Sequence, residues 1–383
     1  MKILIAPDSF KECLDVFSVT DAIARGLLSG GASSEDIIRR PLADGGEGLL
    51  QVLVHAAGGS IHEKSVSGPL GEKVRASFAL LSDGKTAVIE MAQAAGIHLI
   101  DPEKRNPLFT TTYGVGELMR SALDAGARRL IVGLGGSATN DGGAGMAQAL
   151  GVSLKNHEGE ELSWGGAALA SLAVIDCSRL DPRLKSTEVI GACDVMSPLC
   201  GARGASVVYG PQKGADAEQV AVLDAALRHY GFLLEAACPP FHPMLPGAGA
   251  AGGLGAGLAA FAGAALRSGI DLVLSAYGDF EEHCADAAAI ISGEGRVDGQ
   301  STQGKVLSGV AGVARRHGVP LFVLAGKISG DLQTLYDAGV TAVFPIAPFP
   351  MEEKEALRTA AAHLEQTARN LMRTVAALKR KKQ

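Results

Sequence analysis

The stretch "AAIISGEGRVDGQSTQGKV", residues 288–306, joins a short apolar run to a loop that is rich in glycine and charge. The apolar run Ala288–Ile291 predicts a strand, and a helix is expected to begin near Gln303. From Gly299 the letters match the Gly-x4-Gly-Lys of a phosphate-binding loop. Val306, however, stands where such a loop carries the Ser or Thr that holds Mg²⁺. We therefore interpret the stretch as a glycine-rich loop that binds phosphate in another way, with a turn-rich connection of solvated charges as the alternative.

Short apolar runs alternate with helical patterns at both ends of the chain. The predicted strands are Lys2–Ala6, Ile37–Arg40, Leu321–Leu324 and Ala342–Pro345, and the predicted helices are Ser18–Leu28, Leu49–Ala57 and Glu352–Leu378. Such alternation is typical of βαβ units and a parallel sheet. Ser18 is the predicted N-cap of the first helix. Between the two ends, Val74–Leu80 and Thr86–Glu90 favour an antiparallel ribbon.

These patterns predict an α/β protein of two domains. Residues 1–60 and 262–383 are expected to form a discontinuous Rossmann- or flavodoxin-like domain with a parallel sheet, and residues 61–261 an inserted second α/β domain. The active site is expected in the interdomain cleft, because ligand pockets occur preferentially at such places. Residues 239–266 lack charge, but their glycines and prolines make a poor membrane span, so a buried glycine-rich loop and helix is expected there.

Composition limits the classes of partner. The 383 residues carry a formal net charge of −6 and no domain-wide basic stripe, which argues against nucleic acid and anionic membranes. The six cysteines form no C-x-x-C and have no histidine at metal-ligand spacing, which favours reduced thiols in a cytoplasmic protein. A homo-oligomer stays open as an alternative.

Acidic and basic side chains recur in glycine-rich loops that follow predicted strands. They are Asp8, Ser9 and Lys11 in "APDSFK" (6–11), Asp44 in "PLADGGEG" (41–48), Asp194 and Arg203 in "ACDVMSPLCGARGA" (192–205), and Lys213 in "YGPQKGA" (209–215). Any one of these acids alone would be read as a helix cap. Together, the acids suit metal binding or base catalysis and the cations suit phosphate. This combination indicates phosphoryl transfer, in which a protein mainly positions reactants and neutralises charge.

The loop "GLGGSATNDGGAGMAQALG", residues 133–151, contains Gly-x-Gly-x-x-Ala, a weak match to a dinucleotide-binding fingerprint. The ribose-binding acid expected about 20 residues later is not clearly present. Asn140 and Asp141 lie in the middle of the loop, where a dehydrogenase does not need them. They suit a polar substrate or a metal better, so hydride transfer is the weaker interpretation.

Taken together, these loops resemble the bacterial glycerate kinase family of the first type. The resemblance extends from residue 2 almost to the end of the chain, and "IEMAQAAGI" (89–97), "TTYGVGEL" (111–118) and "GAGAAGGLGAGL" (247–258) also carry it. It implies a two-domain α/β architecture, ATP and Mg²⁺ as cofactors, and D-glycerate as substrate. The implied reaction transfers the γ-phosphoryl group to a glycerate hydroxyl, with 2-phosphoglycerate as the preferred product. Glu12, Cys13 and Ser197 depart from the residues that are common in this family.

The resemblance and the loop chemistry together suggest roles for individual residues. The predicted catalytic residues are Asp194, Asp44 and Lys305; the substrate-binding residues are Ser9, Lys11, Arg203 and Asn140; the ATP-binding residues are Gly135, Ser137, Gly293, Gly295, Gly299 and Gly304; and the metal ligands are Asp8, Asp141, Glu294 and Asp298. Two alternatives stay open. One is an NAD(P)-dependent reductase of a glycerate-like acid, which would use the 133–138 loop. The other is a sugar-acid-binding regulator without catalysis.

Overall fold

The chain divides into two compact units that each have their own sheet. The computed structural model describes residues 1–298 and 306–380, with side chains described to residue 377. Unit 1 comprises Met1–Asp44 and Ile270–Gln383, and unit 2 comprises Gly45–Gly269. The domain boundaries expected from the sequence, after residues 60 and 261, stay a prediction.

The described residues form short strands and helices in alternation. The strands are β1 (Ile3–Ile5), β2 (Ile37–Arg39), β3 (Gly59–Ser67), β4 (Lys73–Leu81), β5 (Thr86–Glu90), β6 (Arg129–Gly133), β7 (Ser153–Lys155), β8 (Val174–Asp176), β9 (Glu188–Ala192), β10 (Ala265–Arg267), β11 (Ala289–Val297), β12 (Leu321–Ile328) and β13 (Val340–Pro345). The α-helices are α1 (Val16–Ser29), α2 (Leu49–Ala57), α3 (Ala92–Ala95), α4 (Tyr113–Asp124), α5 (Ala144–Ala149), α6 (Ala205–Tyr209), α7 (Ala217–Ala237), α8 (Ala250–Ala262), α9 (Gly269–Tyr277), α10 (Phe280–Asp286), α11 (Val306–His317), α12 (Gln333–Ala338) and α13 (Glu353–Arg380). The predicted α/β class is confirmed.

Unit 1 contains a five-stranded parallel sheet in the order β2-β1-β11-β12-β13. Counted along the unit's own strands this is 2-1-3-4-5, the flavodoxin-like order. The apolar residues of β1 are buried, and Ile3–Ile5 pair in register with Ala289–Ile291. Helices α1 and α13 pack on each other, and their close approach depends on Gly26. A Cβ at Gly26 would overlap the carbonyl oxygen of Glu365.

The first helix begins earlier than the sequence predicts, and Ser18 is not its N-cap. Asp15 is the N-cap, because its Oδ1 accepts hydrogen bonds from the amides of Phe17 at 2.9 Å and Ser18 at 3.0 Å. Ser18 lies at the third helical position, where its hydroxyl donates to Asp15 Oδ2 at 2.6 Å. A carboxylate that reaches two of the first free amides is the better cap, so the prediction was wrong by one turn.

Unit 2 is built on a six-stranded mixed sheet in the order β10-β9-β6-β5-β4-β3. Strands β10, β9, β6 and β5 are parallel, whereas β4 pairs antiparallel with both β3 and β5. The predicted antiparallel ribbon is therefore confirmed. Strands β7 and β8 form a separate two-stranded antiparallel sheet. The buried faces of the sheet and helices share one large apolar cluster, which includes Phe78, Val132 and Tyr230.

The glycine-rich segment 247–258 packs against the loop that follows β6. Ala251, Gly252 and Gly253 have left-handed backbone conformations, with φ of 53°, 68° and 91°. The Gly252 carbonyl accepts a hydrogen bond from the amide of Gly142 at 3.0 Å, and a Cβ at Gly252 would overlap the carbonyl oxygen of Thr139. The predicted buried loop and helix are confirmed for residues 247–258, whereas most of residues 239–246 are exposed. Of the helices in the described ranges, none has both the length and the apolar character needed to cross a membrane.

Two glycine-to-alanine substitutions distinguish the cost of a left-handed backbone conformation from the cost of a steric overlap. Gly252 and Gly263 both have positive φ, but an added Cβ at Gly263 meets nothing within 4 Å. We expect Gly263→Ala to lower the free energy of unfolding by about 1 kcal/mol, the ordinary penalty for a left-handed alanine. Gly252→Ala should lower it by roughly 1–3 kcal/mol more, because the loop after β6 must also move. Urea unfolding of the full chain measures the free energy of unfolding of both variants. Equal decreases in the two variants would contradict the close contact between Gly252 and Thr139.

Candidate functional site

In unit 1, polar loops leave the sheet at the point where the strand order reverses. Strands β1 and β11 are neighbours there, and open α/β sheets bind ligands outside the carboxyl ends of such strands. The loop after β1 follows the edge of β11, since the amide of Ala6 donates to Ile291 O and the amide of Asp8 to Gly293 O, both at 2.9 Å. This pairing brings residues from the two ends of the sequence together.

Asp8 is a buried carboxylate at this point of the sheet. It is 4% exposed, and its Oδ1 accepts a hydrogen bond from the amide of Ser9 at 2.6 Å. Burial raises the pKa of Asp8 to about 8, and the negative charges of Asp44 and Glu294 add to this rise. Lys11 and the Ser9 amide act in the opposite direction. The site therefore has a surplus of negative charge.

Lys11 supplies the positive charge of this cluster. Its ammonium lies 3.2 Å from Asp44 Oδ2, and its side chain is largely exposed whereas that of Asp44 is mostly buried. The charge of Asp44 is the main reason that the pKa of Lys11 is raised, so the ammonium stays protonated at neutral pH. An exposed cation held by a carboxylate partner can meet an anionic ligand that arrives from solvent.

The other predicted residues of unit 1 differ in their surroundings. Ser9 is buried, and its hydroxyl finds no hydrogen-bond partner among the described residues. Asp298 lies 3.3 Å from the guanidinium of Arg296, so its carboxylate is already paired. Gly295 packs against the loop after β1, where an added Cβ would be 3.2 Å from Phe10 Cα. The predicted ATP-site residues Gly299 and Gly304 and the predicted catalytic residue Lys305 lie outside the described residues.

Asp8 and Glu294 have the chemistry to hold a hard cation. Their charges repel each other, and a divalent ion would remove the repulsion that raises the pKa of Asp8. Within residues 1–298 and 306–380, no three or more His, Cys, Asp or Glu side chains are grouped so that they could hold a metal ion. This is compatible with Mg²⁺, which usually takes one or two protein carboxylates and completes its shell with water and phosphate oxygens.

In unit 2, the loop after β6 is exposed at its tip and buried along the rest of its length. Gly136 is exposed and Gly135 is half-buried, whereas residues 137–143 are buried. The amide of Ala138 donates to Ala95 O at 2.9 Å, which fixes the loop beyond its tip. Gly135 is therefore accessible to a ligand, and Ser137, at 8% exposure, is almost covered.

Asp141 ties this loop to the start of α5. It is 1% exposed, and its carboxylate accepts hydrogen bonds from Thr112 N and Oγ1 at 2.8 Å, from Gly143 N at 3.1 Å and from Gly145 N at 3.2 Å. Burial raises the pKa of Asp141, and these donors oppose the rise. With four donors around it the carboxylate serves the structure of the loop, and its predicted role as a metal ligand stays a prediction.

Asn140 and Lys213 lie in the interior of unit 2. Asn140 is fully buried, and its amide nitrogen donates to Ser206 Oγ at 2.9 Å. Its predicted contact with substrate stays a prediction. Lys213, which the sequence suggests as a cation for phosphate, is 2% exposed and donates instead to Thr139 O at 2.7 Å. Burial lowers the pKa of Lys213 to about 7, while the charge of Asp141 opposes this.

Asp194 and Arg203 lie on the connection between β9 and α6. Asp194 Oδ1 accepts a hydrogen bond from the amide of Gly269, the first residue of α9, at 3.1 Å. Arg203 is exposed in the turn just before α6. The structure thus places the predicted base directly after a parallel strand, as the sequence suggests, and adds a backbone partner for it.

Sequence reasoning missed two buried polar residues in unit 2. Glu90 ends β5, is 5% exposed, and accepts hydrogen bonds from Leu50 N at 2.9 Å and Gln93 Nε2 at 3.2 Å. Burial raises the pKa of Glu90. Thr112 is fully buried, and besides holding Asp141 its hydroxyl accepts from Met146 N at 3.0 Å. A polar residue at the end of an apolar strand was the available signal for Glu90, and the three consecutive threonines 110–112 were the signal for Thr112.

The parallel sheet of unit 1 and the mixed sheet of unit 2 carry charged and glycine-rich loops after their parallel strands, an arrangement typical of α/β proteins that bind small ligands. A family model described as the glycerate kinase family matches residues 3–376. The chain belongs to the glycerate kinase family, and the resemblance noted in the sequence is confirmed.

Individual relatives cover the chain almost completely. It is 50% identical to a glycerate kinase of Bacillus subtilis over 375 residues, which cover 98% of both chains. It is 46% identical to the glycerate 2-kinase of Escherichia coli over 376 residues, again covering 98% of both. A crystal structure of a protein assigned as glycerate kinase 2 from Salmonella typhimurium LT2 matches with a TM-score of 0.84 and 45% identity, covering 99% of each chain.

The raised pKa of Asp8 predicts a pH dependence of stability. Between about pH 4 and pH 8 the folded chain keeps a proton on Asp8 that the unfolded chain releases. The free energy of unfolding of the metal-free protein should therefore fall as pH rises through this range, by at most about 1.4 kcal/mol per pH unit from this group. Asp8→Asn, which resembles the protonated form, should flatten the dependence.

Urea unfolding at several pH values measures this effect. Asp286→Asn is a suitable control, because the ion pair of Asp286 with Lys2, at 3.0 Å, is exposed. An unchanged slope in Asp8→Asn would show that other groups determine the pH dependence.

Proposed function

We propose that this protein transfers the γ-phosphoryl group of MgATP to a hydroxyl of D-glycerate, which gives 2-phosphoglycerate and ADP. Membership of the glycerate kinase family supports the reaction class. One observation supports the assignment of particular residues. At the strand-order reversal of unit 1 lies a cluster of charged side chains, namely Asp8, Lys11, Asp44 and Glu294. It combines carboxylates that suit a divalent cation with an exposed ammonium that suits an organic acid.

In this proposal Lys11 binds the glycerate carboxylate. Its ammonium is exposed, and Asp44 keeps it charged and limits the positions that it can take. Ser9 is the second donor, because its hydroxyl is close in sequence and finds no partner among the described side chains and backbone groups. Arg203, which is exposed, is the alternative donor to the carboxylate.

Asp8 and Glu294 are the residues that would hold Mg²⁺. When bound, the ion neutralises charge on the phosphate oxygens during transfer. Four donors enclose the carboxylate of Asp141, and a guanidinium pairs with that of Asp298, so we assign these two acids supporting roles. In unit 1, Gly293 and Gly295 of β11 would let backbone groups approach phosphate oxygens, because they carry no side chain. In unit 2, Gly135 would do the same at the tip of the loop after β6.

Asp194 is the proposed base, with Asp44 as the alternative. As the glycerate oxygen forms its bond to the γ-phosphorus, its proton moves to the carboxylate, and the bond between the γ-phosphorus and the β,γ-bridging oxygen breaks to release ADP. The amide of Gly269 holds Asp194 Oδ1, which limits rotation of the carboxylate and directs its other oxygen. A base fixed in this way orients the hydroxyl as well as accepting its proton.

The reductase alternative has little support from the 133–138 loop. A dinucleotide fingerprint places pyrophosphate at the free amides of the following helix. Here the helix is the short α5, and Asp141 accepts hydrogen bonds from the amides of Gly143 and Gly145 at its start. An anionic side chain therefore occupies the place that the pyrophosphate would need. Addition of NADH should leave the intrinsic and cofactor fluorescence unchanged.

The reaction is tested by ³¹P NMR of the protein with D-glycerate and MgATP. We expect ADP and the phosphate ester signal of 2-phosphoglycerate. A 3-phosphoglycerate signal would keep the kinase but overturn the choice of hydroxyl. If ATP stays unchanged while calorimetry still detects binding of D-glycerate, the proposed reaction is contradicted. That result would favour the alternative of a sugar-acid-binding regulator without catalysis.

Substitution of the proposed base is the test of its role. Asp194→Asn should lower kcat by about 10²–10⁴-fold, because the amide still accepts from Gly269 but cannot take the proton. KM for both substrates should change little, and circular dichroism should match the wild type. Asp176→Asn, at an exposed carboxylate on β8, is the matched control and should keep full turnover. Near-normal kcat in Asp194→Asn would move the role to Asp44.

A further inference from the structure

Lys213 is a buried lysine that the proposed reaction does not use directly. It ends the short helical turn Pro211–Lys213, and its ammonium donates to the carbonyl oxygen of Thr139 at 2.7 Å. The turn itself is packed tightly, because a Cβ at Gly214 would overlap the carbonyl oxygen of Arg105. Lys213 therefore reaches the loop after β6 from a fixed position within unit 2.

The segment that Lys213 contacts is held by other groups as well. Ser206 on α6 accepts from the Asn140 side chain, and the amide of Gly142 donates to Gly252 O. Each of these contacts lies on the buried part of the loop, whereas its tip at Gly135 and Gly136 reaches the surface. The buried part is an anchor, and its position determines where the tip lies.

Stability alone is a poor explanation for a lysine at this position. Burial disfavours the ammonium and lowers the pKa of Lys213 to about 7. A methionine would fill similar space without a charge to bury, and this gain offsets the loss of the hydrogen bond to Thr139 O. The hydrogen bond to Thr139 O thus has a use other than net stability.

We propose that Lys213 is a positioning residue that fixes the Thr139–Asp141 segment, and through it the Gly135–Gly136 tip, for the phosphate groups of the nucleotide. This rests on the proposed function, in which the tip contacts ATP. Lys213 is enclosed, so it acts through the backbone of the loop and does not touch the substrates. Its removal should affect the nucleotide more than the organic acid.

The test compares Lys213→Met with Lys185→Met, at an exposed lysine in the Pro182–Ser186 turn of the same unit. We expect Lys213→Met to unfold at the same or a higher urea concentration than the wild type. Its kcat/KM for MgATP should fall by about tenfold or more, and its KM for D-glycerate should change less than about twofold. Lys185→Met should match the wild type throughout.

Amide hydrogen exchange gives a readout that does not depend on the reaction. In Lys213→Met, peptides that cover residues 134–146 should exchange faster, while peptides from β5 and β9 should be unchanged. Faster exchange without phosphoryl transfer in the wild type would retain the positioning effect but refute the proposed function. Unchanged exchange, unchanged kcat/KM for MgATP, or a variant that fails to fold would each overturn the proposal for Lys213.

Discussion

The parallel pairing of β1 with β11 is the contact on which unit 1 depends. It joins Ile3–Ile5 to Ala289–Ile291, so that both ends of the chain complete one sheet. Every residue of β1 is buried, and the strand is too short to hold a position without neighbours on both sides. Because β1 and β11 are also where the strand order reverses, the same pairing that completes the core places Asp8 near Glu294 of β11.

Unit 1 concentrates charge at this point. Asp8 and Glu294 repel each other in a poorly solvated place, and Lys11 and Asp44 pair nearby. Burial of these like charges is unfavourable, and it raises the pKa of Asp8. The divalent cation and anionic substrate that we propose for this place would offset that repulsion.

Unit 2 contains a long polar loop, the loop after β6, most of which is buried. The loop after β6 buries Asn140 and Asp141, and Thr112, Ser206 and Lys213 supply their partners or hold the adjacent backbone. A buried polar group without partners costs stability, so these hydrogen bonds stabilise the loop, although Thr139 Oγ1 and Asn140 Oδ1 find no partner among the described residues. They hold the buried part of the loop in place next to its exposed tip at Gly135 and Gly136.

The sequence by itself determined the α/β class, most of the strands and helices, the family, and the loops that carry polar residues. Local patterns suffice for these, because hydrophobic periodicity and glycine-rich turns are properties of neighbouring residues. Only the tertiary structure decided what each polar side chain meets. Asp15 and not Ser18 caps α1, Asp141 is enclosed by four donors, and Lys213 lies in the interior. Partners such as Lys213 and Thr139 are far apart in the chain, and burial and charge depend on the packing that brings them together.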